Sequence, residues 1–211
     1  MIETTFDGES VAGAILRVAG ALEAHSDTLT QLDQVLGDGD LGVTASKMAV
    51  VLKEYGQVPP EGDLGKYLAA AGMAINRAAS STMGTLLATA LMRAGKEVKG
   101  LAELNQYHLV SILNACDLGI QERGKAKLGD KTIVDALHPA AEAFQKALQE
   151  GDGVKEAGQK MVQAAEAGRD AVTPLRSRVG RSSWQGERTE GYVDPGCALI
   201  VLILKSIVGE Q

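Results

Sequence analysis

The chain has 211 residues, of which 45% are hydrophobic and 23% charged; that balance fits a soluble globular protein and excludes a disordered one. Its formal net charge of -6 comes without a basic stripe, which excludes nucleic acid as a main partner, since binding a phosphate backbone needs clustered Lys and Arg. Aromatic residues make up only 3%, while Ala, Leu and Met abound; unbranched side chains lose little rotamer freedom in helices, so an all-α fold is expected.

No linker divides the chain, so residues 1–211 read as a single domain. The start, MIETTFDGES, is acidic and lacks the features of a signal peptide. The most apolar run, CALIVLILKSIVG, is broken by Lys205 and too short to span a bilayer, so it reads as a buried C-terminal helix and no membrane partner is expected. Cys116 and Cys197 form neither a disulfide framework nor a metal-type spacing, which points to a reducing cytoplasm and to core packing.

Helical periodicity predicts segments at about 9–25, 27–36, 41–56, 63–79, 82–95, 103–124, 131–149, 153–175 and 195–209, and no strand alternation is convincing. If the first two segments are one bent helix, the count is eight. Ile133, Leu137, Ala140, Phe144 and Leu148 recur at steps of three and four and define one buried stripe; Val154, Ala157, Met161, Ala164 and Val172 define the next. All connections but one are short, as between antiparallel neighbours in a bundle.

Four connections hold the chemistry. LDQVLGDGDLGV sets Asp33, Asp38 and Asp40 among Gly37, Gly39 and Gly42. Carboxylates so crowded repel unless neutralised, and the glycines permit turns that point several oxygens at one centre; a hard divalent cation such as Mg²⁺ suits that donor set. The alternative is an acidic turn whose aspartates cap the next helix. SSTMG, Ser80–Gly84, opens a helix with hydroxyls that can cap it or bind phosphate. GKAKLGDKT, Gly124–Thr132, lacks the spacing of a P-loop, because Asp130 separates Gly129 from Lys131; it reads as an interhelical turn with Asp130 near the following N-cap. The long loop RSRVGRSSWQGERTEGYVDPG, Arg176–Gly196, holds four arginines and the only tryptophan, and is expected to be an ordered lid over an anion.

Together LDQVLGDGDLG, GDKTIVDALHPAAEAF and GRSSWQGERTEGYVDPG closely resemble the nucleotide-binding L subunit of dihydroxyacetone kinases, in that family's order and across almost the whole chain. The resemblance implies an eight-helix antiparallel barrel with nucleotide, ADP or ATP, and two Mg²⁺ held by loops at one end. It assigns the metals to Asp33, Asp38 and Asp40, and nucleotide contacts to Leu41, Gly42, Val43 and Thr44 at the next helix start. Thr82 and Met83 fall at the phosphate side, Gly124 and Ile133 near the adenine, Arg181 on the lid, and Gly196, Cys197 and Ala198 at the last helix start.

The same resemblance implies half of an enzyme. The hydroxyketone acceptor is expected on a separate K subunit, bound covalently to that subunit's histidine, while His25, His108 and His138 of this chain read as surface or packing residues. Either ATP is consumed, or bound ADP is rephosphorylated in place by a phosphotransferase-system protein. Erythrulose or another ketose as acceptor, a nucleotide-binding regulatory protein, and a homodimer remain open alternatives. Two positions depart from the family: Leu41 stands where His or Thr is common, and SSTMG replaces a Gly-Gly-x-Ser-Gly phosphate loop.

Overall fold

The computed structural model describes residues 4–209 and is built of α-helices: α1 (Gly8–Ala24), α2 (Ser26–Leu36), α3 (Leu41–Gly56), α4 (Leu64–Ala78), α5 (Thr82–Glu97), α6 (Gln106–Gly124), α7 (Val134–Gln149), α8 (Val154–Val172) and α9 (Pro195–Val208). A two-residue strand, β1 (Thr5–Phe6), pairs antiparallel with β2 (Leu104–Asn105); both are too short for alternation to show in sequence. Met1–Glu3 of the acidic N-terminal stretch lie outside the described residues.

Capping chemistry sets the helix ends. Asp7, Asp63, Ser81 and Asp194 each accept the backbone N–H three residues on, satisfying one of the donors a helix start leaves open. At α6 the cap is reciprocal: Asn105 accepts from the N–H of Tyr107 and of His108, and the Asn105 N–H donates to His108 Nδ1. His138 pairs through Nδ1 with Asp117 Oδ2 at 2.7 Å, and His25 is the single residue between α1 and α2, so all three histidines have capping or packing roles.

Eight helices close a ring in the order α1, α3, α4, α5, α6, α7, α8, α9 and back to α1. Helix α2 stands outside it, packed on α3, α9 and the loop after α8. The eight-membered barrel therefore forms without α2, not by fusing α2 to α1. Arg17 of α1 seals the ring by donating to the Ser206 and Ile207 carbonyls, both at 3.0 Å, near the otherwise unpaired end of α9.

Neighbouring helices run antiparallel. Gly65 of α4 meets Gly95 of α5, Gly72 meets Ala88, and Gly84 meets Ala79, a reversed order of contacts along the two helices. Up-and-down order puts every second connection at the same end. Residues 37–40, 79–81, 125–133 and 173–194 therefore share one end of the barrel, and these are the four connections singled out by their chemistry.

Two apolar clusters fill the interior, one between α6 and α9 around Phe144 and Met161, the other mainly from α1 to α5 around Leu22, Met48 and Ile75. Helix α9 joins them, with Leu199 in the second cluster and Ile200, Val201 and Leu204 in the first, which is why it is apolar all round. Each fully buried large aliphatic side chain contributes roughly 1.5–3 kcal/mol. No helix among the described residues is long and apolar enough to cross a membrane.

Candidate functional site

The acidic turn is shaped by its glycines. Gly39 lies at φ 77°, a region that L side chains rarely adopt, and a Cβ on Gly37 would sit 2.4 Å from Asp33 Oδ1. The chain thus folds back over the last turn of α2, and oxygens of Asp33, Asp38 and Asp40 come within 4.8 Å of one another. Asp40 stands at the N-cap position of α3 yet makes no capping bond; the Leu41 N–H donates instead to Asp33 Oδ2 at 3.3 Å. Burial and then the Asp33 charge push the Asp40 carboxyl above its ordinary value, against the opposing pull of Lys47. Three carboxylates around one point fit a hard divalent cation with oxygen ligands, and the edge already draws positive charge: Arg181 pairs with Asp38 and, at 3.3 Å, with Asp40.

Next to the acids, the starts of α3 and α5 meet. Thr44 Oγ1 donates to Ser81 Oγ at 3.0 Å, and that same oxygen accepts the Gly84 N–H at 3.0 Å. An open cavity of about 740 Å³ follows, lined by Asn76, Ser80, Ser81, Thr82, Thr85, Leu86, Arg123, Gly124 and Arg181. Hydroxyls, helix-start N–H groups and two guanidinium groups make it a cavity for an anion. Met83, where the resembled family has Ser, turns its Sδ end inward, with its Cε 3.1 Å from the place of a Cβ on Gly196. Gly196 in turn lies 3.2 Å by that measure from the Ile133 nitrogen, so the starts of α5, α7 and α9 converge.

The structure divides the expected nucleotide residues in two. Thr82, Gly124 and Arg181 line the cavity. Leu41, Ile133 and Cys197 are buried, and Gly42 is pressed against Ser26 and Thr30 of α2, so any ligand contact from these four runs through the backbone. Cys197 Sγ donates to the Thr132 carbonyl at 2.9 Å, and burial pushes its thiol well above the ordinary range. Val43 is exposed on the α3 start, and Ala198 is half-buried in the first turn of α9.

Two sequence expectations differ from what is observed. Asp130 does not cap α7; it accepts the Lys127 N–H at 2.9 Å, and the bonds that close the turn onto α7 go to Asp135, from Gly129 N–H at 2.6 Å and Thr132 N–H at 2.8 Å. The loop after α8 forms a 3₁₀ helix at Arg181–Thr189 that brings Arg181 to the acids, but Trp184 is 89% exposed. Sequence reasoning also missed Asn76, Thr85 and Arg123. Thr85 carried a signal, one helical turn beyond Thr82 on the same face, and Arg123 adjoins Gly124; Asn76 gave none.

The chain matches the DAK2 domain family over residues 35–209. It is 35% identical to the ADP-binding subunit of PEP-dependent dihydroxyacetone kinase 2 from Listeria innocua, covering 87% of this chain and 86% of that one. It is 26% identical to the corresponding ADP-binding subunit from Escherichia coli, covering 92% of each. Among solved structures, the dihydroxyacetone kinase of C. freundii superposes with a TM-score of 0.73 at 25% identity, over 95% of this chain and 34% of that chain. With an acid cluster, a hydroxyl-lined cavity and an arginine loop at one end of a closed helical barrel, and with these relatives over nearly its whole length, the chain belongs to the DAK2 domain family.

Proposed function

We propose that this chain, acting over 1–211 as one nucleotide-binding domain, is the ADP-binding subunit of a dihydroxyacetone-type kinase. It holds ADP as a resident coenzyme and passes a phosphoryl group to a small hydroxyketone carried by a separate K subunit. The observation that carries the reading is that Arg181 lines one cavity with Ser80, Ser81 and Thr82 and at the same time pairs with Asp38 and Asp40 of the three-carboxylate cluster. The bound-coenzyme mode draws support from relatives of matching length that are PEP-dependent and ADP-binding. In that mode a phosphotransferase-system protein would be the phosphoryl donor.

Asp33, Asp38 and Asp40 would hold two Mg²⁺, which when bound neutralise charge on the phosphate oxygens. The residues around them position the nucleotide. The N–H groups at the starts of α3 and α5, with Ser81 and Thr82, receive the phosphates at helix ends whose dipoles favour negative charge. Gly124 and the backbone at Ile133 and Gly196 flank the nucleotide, and Arg181 brings a cation to the oxygens that gain charge during transfer. Phosphoryl transfer asks little covalent chemistry of a protein, so positioning and charge are the contribution this chain makes. When phosphorylated, the bound nucleotide would supply the phosphoryl group, and the residues named here would hold its phosphates for in-line transfer to a hydroxyl presented by the partner.

Native mass spectrometry of the purified chain tests this reading. The expected species is the chain with one ADP and two Mg²⁺. Added K subunit, hydroxyketone and phosphorylated donor protein should then give product in excess of bound ADP without added ATP. A chain that carries no nucleotide, and that turns over only when ATP is supplied, would contradict the coenzyme mode.

A further inference from the structure

Lys131, in the turn before α7, is 1% exposed, among the most completely buried large side chains of the protein. Its backbone sits at φ 59°, a conformation unusual for any residue other than glycine, so the fold spends strain to place it. Among the described residues no carboxylate pairs with the ammonium. It donates to three backbone carbonyls: Thr173 at 2.8 Å, Leu175 at 2.9 Å and Thr189 at 2.5 Å. Thr173 and Leu175 begin the loop that follows α8, and Thr189 ends the 3₁₀ helix that starts at Arg181.

One buried cation thus grips both feet of the segment that carries Arg181. Other bonds gather at the same place: Gly191 N–H donates to the Thr173 carbonyl at 3.0 Å, Ser177 N–H to Thr189 Oγ1 at 2.9 Å, and Arg178 N–H to the Asp130 carbonyl at 3.0 Å. Beyond the feet the segment rests on α2 and on Val179 packed against the core, Trp184 is exposed, and Arg181 reaches Asp38 and Asp40. Of the three carbonyls, Thr173 also accepts the Gly191 N–H and Thr189 the Tyr192 N–H at 3.4 Å, but oxygens converging on one point repel one another unless a cation sits among them. Burial lowers the Lys131 ammonium from its ordinary value, as expected for a cation removed from water to hold a neutral cage.

We propose that Lys131 is a positioning residue for Arg181: by tying Thr173, Leu175 and Thr189 together it sets the height and direction of the loop, and so delivers the guanidinium to the Asp38–Asp40 edge of the cavity. The proposal rests on the nucleotide-binding reading only for its consequence in Mg²⁺-ADP affinity, whereas the pinning of the loop stands independently of it.

The test combines trypsin cleavage with a double-mutant cycle on the full chain. Cleavage after Arg181 and Arg188 needs the loop to open, so its rate follows the open population. K131M should speed cutting at these two sites by roughly tenfold or more, one to two lost bonds' worth of local stability, while the helices stay uncut. T189V, an isosteric change that removes the acceptor of the Ser177 N–H and the donor to the Gly186 carbonyl but keeps the carbonyl that Lys131 holds, should open the same loop to a smaller degree and reports even if K131M folds poorly. For Mg²⁺-ADP, K131M and R181M should each weaken binding by a similar factor, and the double variant should be no weaker than R181M alone. A lysine that merely supports the barrel predicts losses that multiply, and that result, or a K131M loop as resistant to trypsin as the wild type, overturns the proposal. A wild-type chain that does not bind Mg²⁺-ADP would sink the functional reading, and the trypsin comparison would still decide the pinning.

Discussion

Asp194 shows how a single residue joins folding to the site. It caps α9 by accepting the Cys197 N–H at 2.8 Å, yet it is buried, and burial pushes its carboxyl up from 3.8 to about 6. Between those values the folded chain binds more protons than the unfolded one, so this group makes stability fall as pH rises from about 4 to about 6, and the loss persists above. D194N is neutral throughout and still offers an oxygen to the cap. Relative to wild type its melting temperature should therefore climb by several degrees from pH 4 to pH 7, a two-unit shift being worth up to about 3 kcal/mol. A difference that stays flat or falls across that range, followed by circular dichroism melts, would contradict the account. Residues of this kind were half legible. The crowding of Asp33, Asp38 and Asp40 is visible in any sequence because repulsion between like charges needs an explanation, whereas the burial of Asp194 and Lys131 depends on contacts up to 58 residues away, as in the Lys131–Thr189 bond.

At the scale of the element, α4 and α5 are held closer than side chains allow. A Cβ on Gly65 would lie 2.4 Å from the Gly95 carbonyl oxygen, and one on Gly95 would lie 2.4 Å from the Gly65 oxygen and 2.7 Å from the Ala69 nitrogen. Both glycines sit in regular helix, where Ala would ordinarily gain about 0.5–1 kcal/mol. Here the backbones must part, so G95A should destabilise by about 1–3 kcal/mol in urea unfolding, and stabilisation would show that the two helices can separate freely. Periodicity revealed the helices themselves, since their buried stripes recur at 3.6 residues; Ile133, Leu137, Ala140, Phe144, Ala157, Met161 and Val172 are buried, while the expected Leu148, Val154 and Ala164 are only half-buried. It did not reveal the 3₁₀ helix at Arg181–Thr189, whose polar residues carry no apolar period and whose shape comes from Thr189, Lys131 and the left-handed Gly186.

For the whole molecule, the decisive feature is closure. A ring of eight antiparallel helices sends alternate connections to one end, and four loops that are remote in sequence become neighbours. The presence of four chemically marked connections was readable from residue types; their meeting followed from the short loops, which force antiparallel neighbours. The position of α2 outside the ring was not readable, because its pattern differs little from that of a barrel helix and only its packing on α3, α9 and the arginine loop sets it apart. That position has a consequence for the site: α2 carries Asp33 at its end, so the acid cluster straddles a helix outside the barrel and the barrel's own α3.

The central claim is that the acid cluster holds divalent metal against a nucleotide diphosphate, and calorimetric titration of ADP into the nucleotide-stripped chain tests it most directly. In the wild type, saturable binding should appear with Mg²⁺ and vanish with EDTA. D38N, which keeps the size of the side chain and removes one ligand charge, should bind Mg²⁺-ADP weaker by at least about 10-fold. Its melt without nucleotide should stay within about 2 °C of wild type, because an exposed carboxylate contributes little to folding. Equal ADP affinity with and without Mg²⁺, or a D38N chain that binds Mg²⁺-ADP as tightly as wild type, would contradict the metal assignment and the function built on it.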